Sequence, residues 1–199
     1  HGQSATFTVR LDATAPAAFS GNLVLGNNDG DEGPYEVSLL GEATGGNAAP
    51  VILDNGDAGF TATGAFAPQS GAGYAGDNHL ATAAGGGTAT WAFSGLAPGA
   101  YAVAVTWPNG PYPTPASRAT NATYTLTTGA TTKTLTVDQR ELPNDFSADG
   151  YYWEEFIGTV NYTGGTFQVQ LPATAAGSYI AADAVRVARL VTPEIQVSL

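Results

Sequence analysis

The clearest strand pattern in this chain of 199 residues is Tyr101-Ala102-Val103-Ala104-Val105-Thr106-Trp107, in which every second residue is large and apolar. A period of two places those side chains on one face of a β-strand. Further alternating or apolar runs lie at 7–11, 23–25, 35–39, 51–53, 89–93 and 180–190. The chain contains 26 glycines and 12 prolines, which supply many turn signals between the runs. The sequence therefore predicts an all-β protein built as a β-sandwich.

Two hairpins are expected from turn signals between neighbouring runs. The segment 128–130 separates two runs within 124–137, and the segment 163–165 separates two runs within 156–171. Both separating segments contain glycine, which is typical of a hairpin loop. No stretch has the 3.6-residue periodicity that predicts a long helix.

The charge balance excludes several classes of partner. Lys+Arg number 6 and Asp+Glu number 17, so the formal net charge is -11. Nucleic acids and anionic membrane surfaces attract basic residues, so we expect neither as a partner. No apolar run approaches the roughly 20 residues of a spanning helix, so we expect no membrane insertion. Because the chain has no cysteine, disulfides, thiolate nucleophiles and iron–sulfur clusters are excluded.

Low charge, abundant threonine and a single lysine, Lys133, favour an extracellular or cell-surface location. The sequence begins at His1 rather than at methionine, so we expect a processed product or a piece of a longer chain. Asn121-Ala122-Thr123 and Asn161-Tyr162-Thr163 match the N-glycan acceptor triplet, which makes Asn121 and Asn161 candidate glycosylation sites. Such triplets also arise by chance in threonine-rich sequence.

An ordered series of motifs runs through residues 51–190: VILDNGDAGF at 51–60, GYAGDNHL at 73–80, ATWAF at 89–93, LAPGAY at 96–101, TWP at 106–108, RATNA at 118–122, VDQ at 137–139 and IAADAVR at 180–186. This series resembles the golvesin C-terminal-like domain, a family also found at the end of xanthan lyase. The resemblance implies a β-sandwich of carbohydrate-binding-module type that serves as an accessory domain of secreted proteins. The segment Glu141 to Tyr152 departs from the family as an insertion rich in Asp and Tyr.

The two ends share a second resemblance, carried by GQSATFTV at 2–9, FSGNL at 19–23, NNDGDE at 27–32, SLLG at 38–41 and TPEIQVSL at 192–199. Residues 2–44 resemble the closing half of a choice-of-anchor D repeat, an immunoglobulin-like sandwich, and the tail resembles its opening strand. We therefore expect four parts: a partial immunoglobulin-like segment at 1–44, a linker at 45–50, a golvesin-like sandwich at 51–190 and a donor-like terminal strand at 191–199.

The amino-terminal segment is too short to close a sandwich, because three strands leave an open edge and a bare apolar face. We hypothesise that the tail of one copy completes the partial immunoglobulin-like sheet of a neighbouring copy by strand pairing. Donor and acceptor lie at opposite ends, so such contacts run head to tail and build a filament. The alternative is a fragment with frayed ends. The predicted subunit interface comprises Phe7, Val9, Leu11, Ile195, Val197 and Leu199.

Aromatic residues of the golvesin-like region are candidates for binding carbohydrate, because flat rings with nearby polar groups suit sugars. Trp107 precedes a proline-rich loop that would display Tyr112, and Tyr151 and Trp153 form a second cluster. The alternative places both tryptophans in the core, since Trp107 alternates with Val105.

Four residues with oxygen side chains, Asn27, Asp29, Asp31 and Glu32, form a candidate Ca²⁺ site because hard cations bind several such oxygens. Their spacing fits an EF-hand loop poorly, and an Asx-rich hairpin turn is the competing interpretation. The sequence indicates no other cofactor.

We expect no enzymatic activity and assign no catalytic residue. His79 is the only internal histidine, and no nucleophile-elbow motif surrounds any serine. Glu154 and Glu155 are adjacent, so in a strand they point to opposite faces and cannot share one substrate. The sequence favours a structural subunit of a surface or matrix filament made of copies of this chain. The alternative is a carbohydrate-binding accessory module of a larger secreted protein, with polysaccharide as its partner.

Overall fold

The computed structural model describes residues 17–26, 34–43, 49–82, 84–108, 114–129, 131–156, 158–174, 179–190 and 194–197. The chain divides into two compact units. One comprises His1–Ala48 together with Leu190–Leu199, and the other comprises Ala49–Arg189. Neither of the two described helices, both three-residue 3-10 turns, has the length and apolar character needed to cross a bilayer.

The described strands are, in chain order, β1 (Ala17–Leu25), β2 (Tyr35–Ala43), β3 (Val51–Leu53), β4 (Phe60–Ala62), β5 (Ala67–Ser70), β6 (Asp77–Thr82), β7 (Thr88–Ala92), β8 (Gly99–Val105), β9 (Ala122–Thr128), β10 (Thr131–Val137), β11 (Phe146–Ala148), β12 (Tyr151–Glu155), β13 (Val160–Tyr162), β14 (Phe167–Pro172), β15 (Tyr179–Ala182), β16 (Val185–Leu190) and β17 (Glu194–Val197).

Two larger sheets form a sandwich in the Ala49–Arg189 unit, which confirms the predicted all-β class. One sheet has the strand order β10-β9-β14-β7-β4. The other has the order β11-β12-β8-β16-β3, with β13 also paired to β8. A smaller sheet with the order β15-β6-β5 completes the unit.

The inner faces of the two larger sheets share one apolar core. In β9, Ala122, Tyr124 and Leu126 are at most 1% exposed, whereas Thr123 and Thr125 between them are only half-buried. This two-residue alternation is what the strand geometry requires when one face packs and the other meets water. The core combines residues of both sheets, among them Trp91, Phe167 and Val169 from one and Tyr101, Val103 and Val185 from the other.

One of the two predicted hairpins is present and the other is wrong. β9 and β10 pair around Gly129, with Thr131 opposite Thr128. The run before 163–165 becomes β13, which pairs with β8, whereas the run after it becomes β14, which pairs with β7 and β9. The glycine-containing turn therefore carries the chain from one sheet to the other. Both strands bury one face in the shared core, a long-range preference that outweighed local pairing.

A buried amide stabilises the junction between β15 and the core. Gln139 is 0% exposed, and its Nε2 donates to the carbonyl of Ala181 at 2.8 Å and to the hydroxyl of Tyr124 at 3.1 Å. The backbone N–H of Ala181 donates to Gln139 Oε1 at 2.9 Å. Gln139 thus satisfies three buried polar groups that have no access to water.

We expect Gln139→Leu to lower the free energy of unfolding by about 3–5 kcal/mol, because each buried group left unpaired costs roughly 1–3 kcal/mol. Urea denaturation followed by tryptophan fluorescence measures the change. Gln168→Leu, the same exchange at a half-buried position on β14, serves as the control and should cost less than about 1 kcal/mol. Equal losses in the two variants would contradict this role for Gln139.

The smaller unit contains a three-stranded sheet with the order β1-β2-β17. β1 and β2 form an antiparallel pair whose register runs from Ala17 opposite Ala43 to Leu25 opposite Tyr35. Val37 is 5% exposed, while Val24 and Leu40 are more than half exposed.

The tail strand β17 pairs with β2 of its own chain, with Glu194 opposite Glu42 and Val197 opposite Leu39. Pairing between the tail and the amino-terminal segment was predicted and is present within one chain, and pairing with a neighbouring copy stays a prediction. A tail tethered to the same chain meets β2 at a high effective concentration, so it fills that edge without a second molecule. Ile195 and Val197 lie in β17, whereas Phe7, Val9, Leu11 and Leu199 of the predicted interface lie outside the described residues.

Candidate binding cleft

A cleft of about 210 Å³ lies in the Ala49–Arg189 unit, beside the end of β8. Thr106, Trp107 and Pro108, which directly follow β8, form one side. Gly73 and Asp183 also contribute to its lining. The cleft is smaller than typical ligand pockets, which occupy roughly 300–1,000 Å³, so it suits a single sugar-sized group.

The remaining lining residues all come from the segment that the sequence analysis identified as an insertion, namely Leu142, Pro143, Gly150, Tyr151 and Tyr152. This segment folds into the β11–β12 hairpin, in which Phe146 lies opposite Trp153. Asp149 adopts a positive φ of 56° at the hairpin turn, a conformation that Asp tolerates better than most residues. Its carboxylate pairs with Arg186 at 2.9 Å, which anchors the turn to β16.

Two carboxylates next to the cleft hold the insertion in place. Asp145 Oδ2 accepts a hydrogen bond from the backbone N–H of Glu155 at 2.7 Å, and Glu154 Oε2 accepts one from the backbone N–H of Asn144 at 3.1 Å. These acidic side chains are therefore engaged in positioning the loop that carries the cleft.

The loop before β6 contributes Gly73 to the lining of the cleft and has an unusual backbone. Gly73 has a φ of 115°, and a Cβ atom there would clash with the backbone carbonyl oxygen of Asp77 and would also crowd the carboxylate of Asp183. This close approach lets the N–H of Tyr74 donate to both carboxylate oxygens of Asp183, at 2.9 and 3.1 Å. Ala75 has a positive φ of 51°, and its N–H donates to the hydroxyl of Tyr151 at 3.0 Å. The loop is thus held by one acid and one phenol that both line the cleft.

Asp183 is the buried acid of the cleft. It is 1% exposed, and its backbone carbonyl accepts a hydrogen bond from the indole of Trp91 at 3.0 Å. Burial raises the pKa of Asp183 well above its usual value, the hydrogen bond from Tyr74 opposes that rise, and the negative charges of Asp54 and Asp77 add to it. Asp183 was not among the candidate site residues that the sequence indicated.

A small group of polar side chains lies close to Asp183. Burial, with smaller contributions from the charges of Asp77 and Asp57, raises the pKa of Asp54 to about 6. Asn55 is 5% exposed, and its Nδ2 donates to Asp77 Oδ1 at 2.7 Å. Among the described residues, no group of three or more His, Asp or Glu side chains is placed to hold a metal ion.

Two of the four predicted carbohydrate-binding aromatics are buried, so their assignment as stacking platforms is wrong. Trp107 is 3% exposed and its indole N–H donates to the carbonyl of Glu141 at 2.8 Å. Trp153 is 0% exposed and donates to the carbonyl of Ala148 at 3.0 Å. Trp107 belongs to the main core, whereas Trp153 belongs to a second apolar cluster with Ala104. Trp107 borders the cleft, but both rings are almost completely buried, so neither offers an exposed face to a sugar.

The exposed aromatic of the cleft is Tyr152, which is 58% exposed and was not among the predicted residues. Tyr151 also lines the cleft, but its ring packs against that of Tyr74 with centroids 4.5 Å apart. Tyr112 lies outside the described residues. The signal for Tyr152 was present in the Tyr151-Tyr152-Trp153 triplet, since alternation in a strand exposes the residue between two that point inward.

Neither candidate glycosylation site lines the cleft. Asn121 and Asn161 are both exposed, so each is accessible to a glycosylating enzyme, and their modification stays a prediction. The candidate Ca²⁺ ligands Asn27, Asp29, Asp31 and Glu32 lie outside the described residues.

His79 lies on β6 and packs against Phe60, with ring centroids 4.9 Å apart. Burial lowers the pKa of His79, while the charge of Asp77 opposes this shift. Its Nδ1 is buried without a hydrogen-bond partner in the described part of the chain. These contacts describe His79 as a half-buried strand residue that packs against an aromatic neighbour.

Comparison with solved structures gives a match to a xanthan lyase from Paenibacillus, with 26% sequence identity and a TM-score of 0.59. The match covers 83% of this chain but 15% of the lyase chain, so the chain corresponds to one module of that longer protein. No curated protein matches the sequence. The Golvesin C-terminal domain family matches residues 51–189, which include every residue of the cleft. The chain therefore belongs to the Golvesin C-terminal domain family.

Proposed function

We propose that this chain is a non-catalytic, polysaccharide-binding module of a larger extracellular protein, and that the cleft binds a sugar residue of the polymer. The observation that carries the proposal is the exposed ring of Tyr152 beside a cleft lined by apolar residues and one buried acid. Sugar sites in proteins combine a flat apolar surface with a few fixed polar groups. The lyase to which the chain is similar is named for xanthan, a polysaccharide, which supports the same class of ligand.

The absence of catalysis is proposed from how the carboxylates near the cleft are used. Glycoside-cleaving enzymes place two carboxylates roughly 5–10 Å apart across the scissile bond. Here Asp145 and Glu154 accept backbone hydrogen bonds within the insertion, and Asp149 pairs with Arg186. Asp183 is engaged by the N–H of Tyr74.

We expect Tyr152→Ala to weaken binding of a soluble oligosaccharide about tenfold, which corresponds to roughly 1.4 kcal/mol. Isothermal titration calorimetry with cellohexaose and with xanthan fragments measures the affinity. Val51→Ala truncates another exposed apolar side chain outside the cleft and should leave the affinity unchanged. Failure of the unmodified protein to bind either probe, or equal affinities for wild type and Tyr152→Ala, would contradict the proposal.

A second candidate function is a subunit of a filament in which copies of the chain join head to tail. The pairing of β17 with β2 favours it, because a tail that forms this register within one chain can form it with a neighbour by strand exchange. Sedimentation velocity over a hundredfold range of concentration tests it. Growing assemblies would support the filament, whereas a single monomeric species at every concentration would exclude it.

A further inference from the structure

The outer face of the five-stranded sheet carries a row of polar side chains that runs across all five strands. Thr134 on β10 lies opposite Thr125 on β9, which lies opposite Gln170 on β14. Gln170 lies opposite Thr90 on β7, and Thr90 lies opposite Thr61 on β4. Gln170 Nε2 donates to Thr90 Oγ1 at 3.4 Å, so the row is linked at its centre.

Two further rows lie beside this central row, each two residues away along the strands and on the same outer face. On one side, Thr132, Thr127 and Gln168 lie directly opposite one another. On the other side, Thr136 lies opposite Thr123, and their hydroxyl oxygens are 2.9 Å apart. Neighbouring residues within a row are about 5 Å apart, and successive rows are about 7 Å apart along the strands. The result is a two-dimensional array of hydroxyl and amide groups, which we call the threonine face.

The threonine face is free of charge although the chain as a whole carries a net charge of -11. Lys133 is the sole charged residue in the described strands of this sheet. It sits between Thr132 and Thr134, so it points away from the face, and its Nζ donates to the carbonyls of Gly158 and Thr159 at 3.1 Å. Thr61, Thr132, Thr134 and Thr136 are exposed. The central-row residues Thr125, Gln170 and Thr90 are half-buried.

We propose that the threonine face is a binding surface for a neutral, hydroxyl-rich polysaccharide presented as a flat or extended surface. Hydroxyl and amide groups both donate and accept, so they match the hydroxyls of sugars, and the rows offer such groups at several neighbouring positions. An anionic polymer finds no cation on this face and is repelled by the net charge of the chain. An apolar protein surface would bury these polar groups without partners.

This inference goes beyond the proposed function, because the face and the cleft share no residue. The cleft takes one sugar-sized group, whereas the face offers an array for many sugar units at once. The two surfaces therefore predict different ligands, a soluble oligosaccharide for the cleft and an insoluble neutral polymer for the face.

Pull-down with microcrystalline cellulose at 0.15 M salt tests the proposal. We expect the unmodified chain to be retained, and Gln170→Glu and Thr134→Lys each to lose at least tenfold in retention. The two variants introduce charges of opposite sign, so a shared loss reports on the neutral face rather than on net charge. Asn161→Asp, an amide-to-acid exchange at an exposed position on β13 of the other sheet, is the matched control and should bind like the wild type. Melting temperatures verify that all variants are folded.

Each outcome decides between the two surfaces. Retention lost in Tyr152→Ala but kept in Gln170→Glu and Thr134→Lys would overturn the face and leave the cleft standing. Loss in the face variants with retention in Tyr152→Ala supports the face, whether or not the cleft binds oligosaccharide. No retention of the unmodified chain by cellulose, or concentration-dependent dimerisation abolished by Thr134→Lys, would overturn the proposal, the latter by assigning the face to a second copy.

Discussion

Trp153→Ala should lower the free energy of unfolding by about 3–5 kcal/mol, whereas Tyr152→Ala, one residue earlier, should change it by less than about 0.5 kcal/mol. Trp153 is 0% exposed and packs with Ala104 and Ala184, while Tyr152 is 58% exposed. Truncation of the indole leaves a cavity and removes the donor to the carbonyl of Ala148. Urea denaturation of the three proteins measures the difference.

The variants Trp153→Ala and Tyr152→Ala also distinguish a loss of core packing from a loss of ligand contact. Trp153→Ala removes the ring that lies 6.0 Å from Tyr74, so it should loosen the loop that holds the cleft and weaken binding through that loss of structure. Tyr152→Ala should weaken oligosaccharide binding with stability intact. A loss below 1 kcal/mol in Trp153→Ala would show that the second apolar cluster contributes little to the fold.

Asp183→Asn should make the protein more stable at pH 8 and should flatten its dependence of stability on pH. Burial raises the pKa of Asp183 in the folded state above its value in the unfolded chain. Unfolding therefore exposes the acid to water, where its pKa returns to the lower value of the unfolded chain. The stability that the neutral acid contributes is fully present below the unfolded pKa, near 4, and is lost as pH rises toward the folded pKa.

The asparagine amide keeps the oxygen that accepts from the N–H of Tyr74 but cannot ionise. Each unit by which the folded pKa exceeds the unfolded one is worth about 1.4 kcal/mol, so the advantage of Asp183→Asn should grow between pH 4 and pH 8. Melting temperatures measured across this range test it. Glu141→Gln, which removes one charge from an exposed side chain, is the control and should show no such trend. A variant less stable than wild type at pH 8 would contradict the prediction.

Asp54 adds to the same pH dependence. Its pKa of about 6 is also raised in the folded state, so its contribution to stability is present below pH 4 and is lost as pH passes 6. Asp54 is partly solvated, which reduces the effect relative to Asp183. The dependence that persists in Asp183→Asn should therefore be small and should lie between about pH 4 and pH 6.

Local alternation was a good guide where one strand face meets the main core. The pattern at 101–107 predicted β8, and the glycine between 124 and 137 predicted the β9–β10 hairpin. The same reasoning failed at 163–165, because alternation does not say which strand pairs with which. Alternation also does not show how Trp153 becomes buried, because its ring packs beside that of Tyr74, which lies 79 positions earlier in the sequence.

The candidate site was only partly predictable. The insertion at 141–152 was identified from its departure from the family pattern, and it supplies half of the cleft. Asp183 was missed as a cleft residue because its environment depends on the positive φ of Gly73 and on the loop that this glycine allows. The rows of the threonine face depend on the registers of five strands, which no single strand specifies.

The amino-acid sequence by itself determined the acidic net charge, the all-β class and the resemblance to the family. Composition gives the charge, alternation between side chains a few residues apart gives the strands, and short ordered motifs give the family. Tertiary structure alone decided that β13 and β14 lie in different sheets, that the tail pairs with its own chain, and that Asp183 and Tyr152 share one cleft. Those features depend on contacts between residues far apart in sequence, where competing pairings differ by burial of whole faces rather than by local preference.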